Sequence, residues 1–114
     1  MEKNEIIEAL SYMHKAALKD VEEFRQQLCD SDDPLYEMDW SEKSINSMAK
    51  LRVLKRAIAL LEKHNVEAVI EQMQHCVLTD AYSPAKSSSA VSNLCKREEL
   101  SVLAEVVQIL KRLA

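Results

Sequence analysis

The chain has 114 residues, of which 47% are hydrophobic and 30% charged, a formal net charge of −4, and no glycine. Glycine supplies the positive-φ positions of tight hairpins and bulges, so its absence argues against folds built on β-turns. It also excludes the glycine-built devices of chemistry: the phosphate-binding loop, the dinucleotide fingerprint, the nucleophile elbow and the EF-hand loop.

The length suits one domain. With aromatic residues at only 4%, the core must be made from Leu, Ile, Val, Met and Ala, the usual filling of helix bundles. From about residue 4 to 29 the apolar residues Ile6, Ile7, Leu10, Met13, Ala17, Leu18, Val21, Phe24 and Leu28 fall within an arc of about 140° at helical spacing. Asn4 is suited to cap this first helix, with Glu5 and Glu8 in its first turn where the helix dipole favours acids.

An irregular joint is expected over residues 30–39. A second helix over 40–64 follows, opened by Asp39-Trp40-Ser41-Glu42 in capping-box spacing. Its apolar residues Ala49, Leu51, Val53, Leu54, Ala57, Ile58, Leu60 and Leu61 cover an arc of roughly 200°, wide enough for packing on two sides. A third stripe over 66–78 (Val66, Val69, Ile70, Met73, Cys76, Val77) is about 150° out of phase with the second when one ideal helix is continued through both. This predicts a break at Asn65, a residue that tolerates the left-handed C-cap and also serves as an N-cap. An unbroken helix would instead require an intertwined or dimeric arrangement.

Pro84 and the serines after it mark a second joint over 79–88. The last helix, 89–113, carries two apolar stripes. One is Leu100, Leu103, Ala104, Val107 and Leu110; the other is Val102, Val106, Ile109 and Leu113. A peripheral helix needs one stripe, so the second marks either a central helix or an oligomer interface, and Val102, Val106, Ile109 and Leu113 are the candidates for the interface. The fold expected is all-α: a small four-helix bundle-like domain.

Charge is segregated along the chain. Residues 1–39 hold 11 acids and 4 bases, whereas residues 40–64 hold 2 acids and 6 bases. Arg52, Lys55, Arg56 and Lys63 fall within about 100° of one another on the second helix, opposite its apolar arc. This basic face could pair with the acidic first helix and joint or bind nucleic-acid phosphates. The joint itself combines acids with large amphipathic residues. Asp32, Asp33, Leu35, Tyr36 and Trp40 are the candidate partner-binding residues, because Trp and Tyr are enriched at interface hot spots and acids steer a basic partner. The same residues could instead fold back as a lid over the helix ends.

Constellations for chemistry do not assemble. Cys29, Cys76, Cys95, His14, His64 and His75 include no pair at zinc-ligand spacing. Three widely spaced cysteines read as buried thiols and not as a disulfide framework. Asp30 and Asp32 alternate as in an EF-hand, but Pro34 takes the third ligand position and Ser41 the twelfth. A phosphoacceptor histidine, as in histidine phosphotransfer domains, is followed closely by lysine and glycine; His14 is followed by Lys15-Ala16-Ala17-Leu18, and reads as a core-edge histidine.

The expectation is therefore a non-enzymatic protein-protein interaction module, a regulatory or inhibitory adaptor that homodimerises, with no catalytic residue, metal or cofactor and another protein as partner. No apolar run is long enough for a membrane span and the N-terminus has no signal core, which points to the cytoplasm. The alternatives are a nucleic-acid-binding regulator using the basic face, and an acidic decoy, of the type phage inhibitors use, that occupies a nucleic-acid-binding protein.

Overall fold

A computed structural model of the chain describes the backbone of residues 2–30, 34–82 and 90–114, and side chains over 2–26, 43–78 and 95–114. The described residues form four helices in chain order, α1 (Lys3–Asp30), α2 (Pro34–Lys63), α3 (Val66–Tyr82) and α4 (Ala90–Leu113). All-α architecture follows directly from the 3.6-residue periodicity of the apolar stripes.

Helix α1 opens at Lys3 and the Ile6 N–H donates to the Glu2 carbonyl at 3.1 Å, so Asn4 lies inside the helix and is not its cap; two other boundaries differ from the sequence reading by more than one residue. Helix α2 starts at Pro34 and not at residue 40, so residues 34–39 are helical. Proline is well placed in a first turn, where its missing N–H would have had no intrahelical partner and its fixed φ is already helical. The capping-box spacing at Asp39 is thus internal to α2. Helix α3 runs on through Tyr82, four residues past the expected end. No glycine or proline lies between Val66 and Pro84, so nothing stops the helix at Leu78.

The break at Asn65 is present. Helix α2 ends at Lys63 and α3 begins at Val66. The Ala68 N–H donates to Asn65 Oδ1 at 2.7 Å, while the Val69 N–H donates to the Asn65 carbonyl at 3.1 Å as the first intrahelical bond. Asn65 therefore acts as an N-cap. No described non-glycine residue has positive φ, so its left-handed option is unused. On the preceding side, the His64 N–H donates to the Leu60 carbonyl at 2.9 Å and closes the last turn of α2. Lys63 stands in that turn, and Lys111 and Arg112 in the last turn of α4, where cations favour the negative end of the helix dipole.

Helix α1 packs chiefly on α2, α2 also packs on α4, and α4 packs on α3, whereas α2 and α3 touch little. Among the described residues the core is one cluster. It takes Ile6 and Leu10 from α1, Ala49, Val53, Leu54, Ala57 and Leu61 from α2, Val69 and Met73 from α3, and Val102, Leu103, Val106, Val107 and Leu110 from α4. The wide apolar arc of α2 is explained by its two neighbours. Ser47 is a buried polar residue in the same helix, a position the hydrophobic pattern does not mark.

The molecule measures 47 × 32 × 20 Å, about two helix diameters thick. Its radius of gyration is 15.7 Å, above the value of about 13 Å expected for a compact chain of this length.

Candidate interaction surface

Val102 and Val106 are 1% and 2% exposed, and Ile109 and Leu113 pack partly buried against the core. The expectation of an exposed oligomer stripe on α4 is corrected by this burial. Helix α4 lies between α2 and α3, so both of its stripes are covered within one chain. A double stripe here is the mark of a central helix.

Arg52, Lys55, Arg56 and Lys63 are all exposed on α2. Their neighbours differ from the expectation that the acidic first helix would face them. Arg52 Nη2 lies 3.4 Å from Glu99 Oε2 of α4, and Arg56 Nη2 donates to Cys76 Sγ of α3 at 3.4 Å. The basic face thus reaches over the helices that flank α2. Asn46, one turn and a half before Arg52, donates from Nδ2 to Glu98 Oε2 at 2.7 Å in a partly buried setting. Two consecutive glutamates of α4 therefore serve as its polar ties to α2.

Asp32 and Asp33 lie outside the described residues. Leu35, Tyr36 and Trp40 belong to the first two turns of α2, which places them on a helix and not in an irregular joint; their side chains lie outside the described residues. Cys76 and Cys95 are free and half-buried, less enclosed than the buried thiols expected, and Cys29 has no described side chain. His14 is half-buried, as a core-edge residue would be, and His64 and His75 are exposed. Among the described residues no three His, Cys, Asp or Glu side chains are grouped as metal ligands. None of the described helices is long and apolar enough to cross a membrane.

The feature that sequence reading misses is a crevice of about 190 Å³ where α1, α2 and α4 meet. Its walls are Tyr12, Met13, Ala16, Ala17 and Asp20 from α1, Lys50 and Leu54 from α2, and Val102, Glu105 and Val106 from α4. The α1 residues repeat at spacings of one, three, one and three, a single helical face, and the α4 residues do the same at three and one. The alanines open the space: Ala16 and Ala17 have no side-chain bulk with which to close the gap to α4. Leu54, Val102 and Val106 are core residues and make an apolar floor. Asp20, Lys50 and Glu105 bring both signs of charge to the lining. Tyr12 stands 75% exposed among these residues, although its spacing on α1 gives it no place in the buried stripe. The sequence signal for this crevice is the pair Ala16 and Ala17 one turn after Tyr12 on the same face of α1, and that signal has meaning only once α1 and α4 are known to be neighbours.

Comparison of the chain with protein-family models, with curated proteins and with solved structures finds no match.

Proposed function

We propose that this chain is a non-enzymatic helical interaction module, a regulatory or inhibitory adaptor that works by presenting a surface to a protein partner. The observation that carries the reading is the crevice between α1, α2 and α4, with Tyr12 at 75% exposure beside an apolar floor. A concave apolar floor bordered by charged side chains is the anatomy of an interface centre, where aromatic anchors supply most of the binding energy. The residues Asp32, Asp33, Leu35, Tyr36 and Trp40 provide a second contact region in this reading, on and just before the first turns of α2.

The test replaces Tyr12 by a photoreactive phenylalanine analogue in the cells that make the protein. Irradiation is expected to give a covalent protein adduct of discrete mass, absent when the analogue stands at the exposed position Glu71 on α3. Absence of any adduct specific to position 12 would overturn the reading. Loss of the adduct in Trp40→Ala and Asp32→Lys variants would assign the second region to the same partner.

A second reading, nucleic-acid binding through the basic face, is favoured by the exposure of Arg52, Lys55, Arg56 and Lys63 along one helix. It is the weaker one, because Glu99 already neutralises part of that face and no aromatic residue is interleaved with the bases for stacking. It requires salt-sensitive binding to DNA or RNA that is lost when Arg52 and Arg56 are reversed to glutamate.

A further inference from the structure

We infer that the partner seated on the crevice is a second copy of this chain, related by a two-fold axis that sends each copy's Tyr12 into the other copy's crevice. This names the occupant of the surface proposed above and rests on that reading. Two observations carry it.

The first is shape. A two-fold interface must be self-complementary, with a projection and its receptacle on one patch. Tyr12 and the crevice satisfy that condition, since the tyrosine is both exposed and part of the lining. A cavity of about 150 Å³ holds a benzene ring, so the crevice, at about 190 Å³, has room for a phenol. The second is charge. Lys50 lies in the same lining as Asp20 and Glu105, and a two-fold axis through this patch carries the ammonium of one copy toward the carboxylates of the other. A patch of one sign would repel its own copy; this one carries both.

Sedimentation equilibrium over a micromolar to sub-millimolar range tests the inference. The expected result is a species of twice the 13.0 kDa chain mass. Tyr12→Glu is expected to raise its dissociation constant by well over the roughly thirtyfold of a single hot-spot aromatic, since each dimer loses two, with an unchanged circular dichroism spectrum because the residue is on the surface. Glu105→Lys is expected to weaken the dimer, and Glu105→Lys combined with Lys50→Glu to restore it. A monomer at every concentration would overturn the inference, as would a dimer indifferent to Tyr12→Glu. If the chain is a monomer while position 12 still crosslinks to a different protein, the identity of the occupant fails and the interaction reading stands. If neither a dimer nor an adduct is found, both fail.

Discussion

Asn65 accepts the Ala68 N–H on its side-chain oxygen at 2.7 Å, and this one bond marks where two helices of opposed phase are separated. Replacing Asn65 by alanine removes the cap and leaves a helix N–H to water, which costs about 1 kcal/mol. Asn65→Asp is expected to retain the stability, since a carboxylate caps equally well and favours the positive end of α3. Asn65→Gly is expected to fall between them, at a few tenths of a kcal/mol below the parent. Urea unfolding of the three variants checks the order; a glycine variant more stable than the parent would indicate a left-handed residue at this position instead of an N-cap.

This joint was legible in the sequence because it follows from phase alone: the stripes of α2 and α3 cannot share one face of one helix. Other features were legible only in part, each for a physical reason. The start of α2 at Pro34 is hidden because the capping-box spacing that opens at Asp39 competes with a first-turn proline, and local pattern does not rank the two. The double stripe of α4 was legible as a fact but not in its meaning, since a buried helix and an interface helix have the same apolar arc. The crevice could not be read at all. It depends on which faces of α1 and α4 oppose one another across Leu54, and that is a property of packing.

Val106 on α4 is 2% exposed and belongs to the core cluster. Val106→Glu is therefore expected to unfold or severely destabilise the chain, by several kcal/mol, because a carboxylate would be buried without a partner. A helix with an outward second stripe would show the opposite result: a folded protein with altered association. Thermal unfolding followed by circular dichroism, read beside sedimentation, separates the two outcomes.

Adjacent glutamates of α4 allow partial burial to be weighed against exposure. Glu98 accepts from Asn46 at 2.7 Å in a partly buried setting. Glu99 meets Arg52 at 3.4 Å with side chains 48% and 52% exposed. An exposed ion pair of this kind is worth about 0–1 kcal/mol and is screened by salt. A hydrogen bond to a charged group with less water around it is worth about 1.5 kcal/mol or more. Glu98→Ala is thus expected to cost more than Glu99→Ala, and only the smaller effect should diminish further in high salt. Denaturant melts at two ionic strengths check both the order and the salt response.

On α1, Leu10 and Leu18 belong to the same predicted apolar arc, yet Leu10 is 0% exposed and Leu18 is 43% exposed. The difference comes from the angle at which α1 meets its neighbours. Ile6, Leu10 and Ala17 are buried, while Leu18 lies one residue, or about 100°, past Ala17 around the helix. Leu10→Ala removes core methyl groups and leaves a cavity that its neighbours fill only in part, so it is expected to cost about 2–5 kcal/mol. Leu18→Ala removes a side chain already in contact with water and is expected to cost well under 1 kcal/mol, offset in part by the higher helix propensity of alanine. Equal losses in the two variants would require Leu18 to be covered in solution, and a concentration-dependent melting temperature would then attribute that cover to a second chain. The pair therefore serves as a stability measurement and as an independent probe of which part of α1 a partner reaches.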